Sequence, residues 1–217
     1  LEEGVITAAT VYDDTRTDFG GGYAPQNVAN YRGLTTVRKA IEVSSNVVNM
    51  KILSNVGPST AIEYLQDMGL EHINPDLDNN LALALGGMSE GATTLEMAAA
   101  YEAIANGGEY TEPTFYTKVE DRDGNVVLES TQETRRVMEE TTAYITADIL
   151  KDVVTGSSGT AYMCKISGID VAAKTGTTDN KMDKWLCGFT PYYSAATWLG
   201  YDDREKVRNP DAAQQIW

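Results

Sequence analysis

The chain has 217 residues, 17 of them lysine or arginine and 32 aspartate or glutamate, so its formal net charge is −15. With 42% apolar residues, the composition is that of a globular domain rather than a disordered segment. The negative charge argues against binding to nucleic acid or to an anionic membrane surface, because both need clustered positive charge. No apolar run approaches the roughly 20 residues of a membrane-spanning helix. The single histidine, His72, excludes a His-rich metal site and is predicted to lie in a surface loop.

The two ends of the chain resemble parts of interrupted helices. Leu1–Gly4 is typical of the last turn and C-cap of a helix, because helix-favouring residues are followed by glycine. Residues 212–217 are typical of a first helical turn. We therefore expect the chain to be part of a longer protein.

The first predicted elements are loops and helices. Residues 5–34 are rich in Gly, Asp, Thr and Asn, which predicts loops with short extended pieces. A helical pattern begins at the end of this segment, with Thr35 or Thr36 as the candidate N-cap. Ser44-Ser45-Asn46 interrupts the pattern before an apolar helix that ends near Gly57. Three polar residues between two apolar helices predict a short loop or a functional break.

The later elements change from helices to strands. Three further helices are predicted at residues 58–68, 93–106 and 142–154. A hairpin centred on Asp-Gly is predicted at residues 115–129. Extended segments are predicted at residues 170–173, 184–189 and 193–201. Helices early and antiparallel strands late indicate an α+β fold, with one antiparallel sheet packed by helices.

Lys174–Thr178 has the sequence Lys-Thr-Gly-Thr-Thr and follows an apolar segment. Alternation along a strand places Lys174 and Gly176 on one face. Thr175 and Thr177 then lie on the other face. Lysine plus hydroxyls suits the binding of a carboxylate, and glycine lets a substrate approach the backbone closely. Taken alone, the segment is explained more simply as a polar strand end.

Ser44 and Asn46 are a weaker signal when taken alone, because a hydroxyl and an amide at this place can simply cap the following helix. Their combination with Lys-Thr-Gly changes the interpretation. A Ser-x-Asn loop between helices, followed later by Lys-Thr-Gly on a strand, supplies two walls of a serine acyl-transfer site.

These segments together resemble the transpeptidase domain of the class A penicillin-binding proteins, the bifunctional peptidoglycan synthases. The resemblance covers almost the whole chain and rests on residues 33–46, 83–98, 105–108, 174–178 and 183–202. It implies the α+β penicillin-binding/β-lactamase-like transpeptidase fold, incomplete in this chain.

The resemblance implies an acyltransferase that attacks the D-Ala-D-Ala end of a peptidoglycan stem peptide and is acylated by penicillins. Ser44 would pass a proton to the leaving nitrogen, with Lys174 in the same relay. Asn46 would bind a side-chain amide of the substrate. Thr175 and Thr177 would hold its terminal carboxylate, with Gly176 between them and the Thr177 N–H as half of an oxyanion hole. No metal or organic cofactor is implied.

One departure from the family concerns the nucleophile, which is the Ser of a Ser-x-x-Lys motif at the start of a helix. None of the serines in this chain is followed by Lys at that spacing. We therefore expect residues 1–217 to be a partial transpeptidase domain that is inactive alone, with the nucleophile helix and any glycosyltransferase domain upstream. A smaller departure is Ala173, where the family usually has glycine.

Two other functions are compatible with the sequence. The chain could belong to a non-catalytic peptide-binding relative, or to a related D,D-carboxypeptidase or β-lactamase. The helical core and the segment 198–202 favour the class A synthases. The resemblance also implies an extracytoplasmic, bacterial location, with a membrane anchor outside this chain. The oligomeric state is left open.

Several isolated residues receive simpler predictions. Cys164 and Cys187 either form a disulfide or are buried free thiols, and the sequence does not decide between these alternatives. Trp185 and Trp198 are predicted to anchor the core. The acidic segment 76–78 is predicted to be solvated surface.

Overall fold

The computed structural model describes residues 1–203 and 205–217 and confirms the α+β fold. The helices are α1 (Val37–Glu42), α2 (Asn46–Val56), α3 (Pro58–Asp67), α4 (Thr94–Ala105), α5 (Glu140–Thr155) and α6 (Ala212–Ile216). The strands are β1 (Val11–Asp14), β2 (Gly33–Thr36), β3 (Glu109–Thr111), β4 (Lys118–Glu120), β5 (Val126–Glu129), β6 (Thr134–Arg136), β7 (Ala172–Thr177), β8 (Lys184–Phe189) and β9 (Ser194–Leu199). Within these residues, none of the helices is long and apolar enough to span a bilayer.

The largest sheet is antiparallel, with the strand order β7-β8-β9. Helix α5 packs next to β7, α4 next to β9, and α6 contacts both β8 and β9. The main core lies between these elements and includes Leu150, Val153, Ala172, Ala173, Leu186 and Phe189. Gly188 lets β7 and β8 approach closely, since a Cβ there would lie 2.5 Å from the carbonyl oxygen of Ala172.

Most sequence-predicted elements are confirmed, and their boundaries follow local capping. Thr36, rather than Thr35, caps α1 by accepting a hydrogen bond from the Lys39 N–H. The predicted capping box of α4 is present between Thr93 and Glu96. The extended segment predicted at residues 170–173 is longer in the structure, because β7 continues through the Lys-Thr-Gly motif to Thr177.

The short β3–β6 pair was not predicted from the sequence. Each strand has three residues, and the two segments are separated by the β4–β5 hairpin. Such short polar strands carry too little alternation of apolar residues to be distinguished from loops.

Two predictions about residue environments need correction: Asp76 and Leu77 of the acidic segment are exposed as expected but Asp78 is not, and Trp198 does not anchor the core. Asp78 is buried, because its carboxylate accepts hydrogen bonds from the backbone N–H groups of Asn74 and Ser89. Burial alone would raise the pKa of Asp78, but these hydrogen bonds outweigh it and lower the pKa. Trp198 is 40% exposed, and its indole N–H donates to Asp183.

Both cysteines are free, buried thiols in the structure. Cys187 lies on β8 and Cys164 in a short 3-10 turn, Tyr162–Cys164. Burial raises the pKa of Cys164 to about 11 and that of Cys187 to about 12. Both side chains therefore behave as small apolar groups at neutral pH.

Candidate active site

Ser44 lies in the tight turn between α1 and α2, residues 43–45, in a left-handed backbone conformation with φ +57°. That region is uncommon for residues other than glycine. The next residue, Ser45, caps α2 by accepting a hydrogen bond from the Val48 N–H over 3.2 Å. Because Ser45 does the capping, the side chain of Ser44 is available for a contact elsewhere. We call residues 44–46 the loop wall of the site.

A buried carboxylate holds the loop wall in place. Asp14, at the end of β1, is 1% exposed. Its Oδ1 accepts hydrogen bonds from Ser45 Oγ (2.9 Å) and Asn27 Nδ2 (2.7 Å), and its Oδ2 accepts one from the Arg32 N–H (3.2 Å). Asn27 Oδ1 in turn accepts from the Val47 N–H at 3.2 Å. No sequence pattern predicts this network, because long loops separate its members.

Lys174 on β7 contacts Ser44 across 130 positions of the chain. Its Nζ donates hydrogen bonds to Ser44 Oγ at 2.7 Å and to the carbonyl oxygen of Thr175 at 2.9 Å. Burial lowers the pKa of Lys174 to about 8. A lysine with such a pKa exchanges protons readily near neutral pH, which an ordinary surface lysine does not.

Asn46 is the first residue of α2, and it borders the same loop. Its Nδ2 donates a hydrogen bond to the carbonyl oxygen of Gln26 at 2.8 Å. The loop wall therefore has two anchors on the segment that precedes β2, the Gln26 carbonyl and the Asn27 side chain.

We call β7 the strand wall. Thr175 and Thr177 lie on the face opposite to Lys174, as alternation requires. The Thr175 hydroxyl is hydrogen-bonded to the Thr160 hydroxyl at 2.7 Å, and Thr177 Oγ1 accepts from Lys184 Nζ at 3.1 Å. Because β7 is an edge strand of its sheet, side chains of both faces border the same edge.

The loop that carries Thr160 is fixed to α1, which leads into the loop wall. Glu42 Oε1 accepts hydrogen bonds from the Ser158 N–H (3.0 Å) and from Lys39 Nζ (2.7 Å). Glycine is required at position 156, where a Cβ would lie 2.5 Å from the backbone carbonyl oxygen of Asp152 and 2.5 Å from Glu42 Oε1. This chain of contacts connects the two walls, and no sequence pattern predicts it.

The end of the strand wall is held by Asp183. Its Oδ2 accepts a hydrogen bond from the Thr178 hydroxyl (2.8 Å) and its Oδ1 accepts one from the Trp198 indole N–H (3.0 Å). The Asp183 N–H donates back to Thr178 Oγ1 at 2.9 Å. Thr177 is thus followed by a fixed turn rather than by a loose loop.

The fold and the site together define a class of serine acyl-transfer domain. An α+β domain in which a Ser-x-Asn turn between helices contacts the lysine of a Lys-Thr-Gly edge strand is the arrangement of penicillin-recognising enzymes. Comparison with known proteins agrees with this assignment. The family description "Penicillin binding protein transpeptidase domain" matches residues 1–207, and the chain belongs to that family.

Similar sequences confirm the resemblance to class A members. The chain is 36% identical over 222 residues to penicillin-binding protein 1A of Clostridium botulinum, covering 97% of this chain and 27% of that protein. It is 40% identical over 192 residues to penicillin-binding protein 1A of Clostridium perfringens, covering 85% of this chain and 28% of that protein. The chain thus spans little more than a quarter of the length of these relatives.

Solved structures have the same fold. The D,D-transpeptidase domain of the peptidoglycan glycosyltransferase from Eggerthella lenta matches with a TM-score of 0.77 at 27% identity, over 99% of this chain and 60% of that one. PonA1 from Mycobacterium tuberculosis, in complex with penicillin V, matches with a TM-score of 0.80 at 24% identity, over 94% and 58%. At 24% identity, the match to PonA1 is evidence for a shared fold only.

Proposed function

We propose that the protein containing this chain is a peptidoglycan D,D-transpeptidase that β-lactams acylate. The observation that supports this most directly is the 2.7 Å hydrogen bond between Lys174 Nζ and Ser44 Oγ in a domain of this family. In the proposed reaction a serine oxygen attacks the carbonyl of the penultimate D-Ala, and the bond to the terminal D-Ala breaks. An amine of a neighbouring strand then attacks the acyl-enzyme, forms the cross-link and releases the serine.

The Ser44–Lys174 pair is suited to moving a proton to the leaving nitrogen. An ammonium can only donate hydrogen bonds, so Ser44 Oγ accepts from Lys174 and its own proton is directed elsewhere. The leaving nitrogen needs a proton as the D-Ala–D-Ala bond breaks, and Ser44 can give that proton. Lys174, with its pKa lowered by burial to about 8, then returns a proton to Ser44.

The strand wall would hold the anionic parts of the substrate. We assign the terminal carboxylate to the hydroxyls of Thr175 and Thr177, which border the free edge of β7 beside Gly176. Backbone groups two residues apart point to the same side of a strand, so the Thr177 N–H lies on the side of the Thr175 carbonyl. We assign this N–H to the oxyanion hole, where one donor is worth about 2.7–4 kcal/mol. The carboxamide of Asn46 would contact a side-chain amide.

The attacking serine is assigned to residues outside 1–217. None of the serines in these residues has a lysine three positions later, so we propose that another segment of the protein supplies the Ser-x-x-Lys nucleophile. Residues 1–217 alone would then form no acyl-enzyme. Because the stem peptides lie outside the cell membrane, we place the domain on the extracytoplasmic face, anchored through another segment.

Mass spectrometry of the intact protein after incubation with a penicillin tests the proposal. We expect one covalent adduct on a serine outside residues 1–217, since the walls described here bind and protonate but do not attack. Lys174→Ala should slow acylation by about 10²–10⁴-fold, the range for a lost proton-transfer group. Lys165→Ala, which removes an exposed lysine, is the control and should acylate normally. An adduct within residues 1–217 would contradict the assignment, and penicillin binding without any adduct would favour a non-catalytic module.

A further inference from the structure

A second buried lysine lies beside the strand wall. Lys184 begins β8, directly opposite Thr177 in the antiparallel register, and is 6% exposed. Its Nζ donates a hydrogen bond to Thr177 Oγ1 at 3.1 Å. Among the side chains that the structure describes, no carboxylate forms an ion pair with Lys184.

The direction of this hydrogen bond determines what Thr177 offers to a ligand. An ammonium has three donors and no acceptor, whereas a hydroxyl has one donor and two lone pairs. Thr177 Oγ1 therefore accepts from Lys184, and its proton is directed away from the ammonium. Because Thr177 itself is exposed at the sheet edge, that proton is available to an acceptor on a bound ligand. A carboxylate, which only accepts hydrogen bonds, matches this arrangement.

The charge of Lys184 also favours an anion at this edge. A buried charge is costly unless a counter-charge or several hydrogen bonds compensate it. Of the charged groups that the structure describes, Lys181 repels the Lys184 ammonium and Asp211 attracts it. Burial first and Lys181 second lower the pKa of Lys184, and Asp211 only partly opposes this. A carboxylate bound at Thr177 would supply the missing compensation.

We propose that Lys184 is a positioning residue that determines specificity for a carboxylate-bearing substrate. It orients the Thr177 hydroxyl as a donor and places a positive charge one hydrogen bond behind it. The ligand class is the terminal carboxylate of a donor peptide, or the equivalent carboxylate of a β-lactam. This inference rests on the proposed function, because it assigns Thr177 to the carboxylate.

The test compares a penicillin that has a free carboxylate with its methyl ester, using the intact protein. The readout is the ratio of the two second-order acylation rate constants. In Lys184→Met the ratio should fall by about tenfold or more, almost entirely through a slower reaction with the free carboxylate. Lys184→Arg should keep most of the preference, because it retains a buried cation. Lys181→Met, which removes an exposed positive charge from the same region, should keep the wild-type ratio within about twofold.

A double variant shows whether Lys184 acts through Thr177. If it does, Lys184→Met should reduce the ratio much less in a Thr177→Val background than in the wild type. If Lys184 has only a general structural role, both rate constants should fall in parallel and their ratio should stay unchanged. That result would overturn the inference.

The failure of the inference can be told apart from the failure of the proposed function. If the wild-type protein reacts with both compounds and Lys184→Met keeps the wild-type ratio, only the role of Lys184 is refuted. If the wild-type protein reacts with neither compound, the proposed function fails and the inference fails with it. Should Lys184→Met not fold, Lys184→Gln keeps a donor for Thr177 without the charge and should still lower the ratio, through the lost charge alone; an unchanged ratio would refute the role of that charge.

Discussion

The loop wall and the strand wall bring their reactive side chains together by different physical means. Ser44 depends on a left-handed turn and on a buried carboxylate that lies 31 positions before Ser45. Lys174 depends on the regular register of β7 with β8, which assigns each side chain to a face. The strand wall is therefore specified by local alternation, and the loop wall by a polar network of residues distant in sequence.

The largest effect is expected from breaking the network behind the loop wall. Asp14→Ala leaves the Ser45 hydroxyl, the Asn27 amide and the Arg32 N–H without their acceptor in a buried place. We expect the free energy of unfolding of the domain to fall by about 3 kcal/mol. Chemical denaturation followed by tryptophan fluorescence measures this. The neighbouring exposed residue gives the control, since Asp13→Ala should cost less than about 0.5 kcal/mol. Equal effects of the two variants would refute the network's importance.

A smaller effect is expected from loosening the strand wall. Thr160→Val removes the hydroxyl partner of Thr175 but leaves the register of β7 intact. We expect the free energy of unfolding to fall by about 1 kcal/mol, with faster hydrogen exchange confined to β7 and the loop before it. Thr131→Val, in an exposed loop, should leave the free energy of unfolding and the hydrogen-exchange rates unchanged. Faster exchange at the loop wall as well would show that the two walls are not held independently.

The smallest effect is expected far from both walls, where His72 Nδ1 lies 2.8 Å from Glu96 Oε1. The hydrogen bond to Glu96 raises the pKa of His72 above 6.5. Burial opposes ionisation of Glu96, yet hydrogen bonds from Thr93, Glu71 and His72 lower its pKa from 4.5 to about 2.

The pH dependence follows from these directions. The contribution of His72 is complete below pH 6.5 and is lost as pH rises through its raised folded pKa. The contribution of Glu96 is complete above pH 4.5 and is lost as pH falls through about 2. The melting temperature of wild type minus that of His72→Gln should therefore be largest between pH 4.5 and 6.5 and shrink at higher pH. A difference that stays constant up to about pH 9 would contradict the ion pair.

The sequence predicted the strand wall better than the loop wall. Period-two alternation placed Lys174 and Thr175 on opposite faces, and capping residues located the starts of α1 and α4. Sequence alone could not reveal that Asp14 is buried, because that depends on which loops fold over it. The Ser-x-Asn pattern and the family resemblance selected Ser44, but they did not show that Ser45, rather than Ser44, caps α2.

The burial of Lys184 is a second feature that the sequence does not predict. A lysine at the start of a strand is expected to have an exposed side chain, and nothing near Lys184 in the sequence predicts burial. Its environment is set by the register that places it opposite Thr177 and by α6, which contacts β8. Burial of a charged side chain is a tertiary property, which local patterns do not encode.

The backbone of Ser44 has a consequence for any attempt to stabilise this domain. At φ +57° a glycine or an asparagine would relieve conformational strain that a serine carries. A redesign that ranks positions by folding energy alone would therefore choose this one early. The more stable protein would lack the hydroxyl that Lys174 contacts, so thermal stability competes at this side chain with the proton relay that we propose.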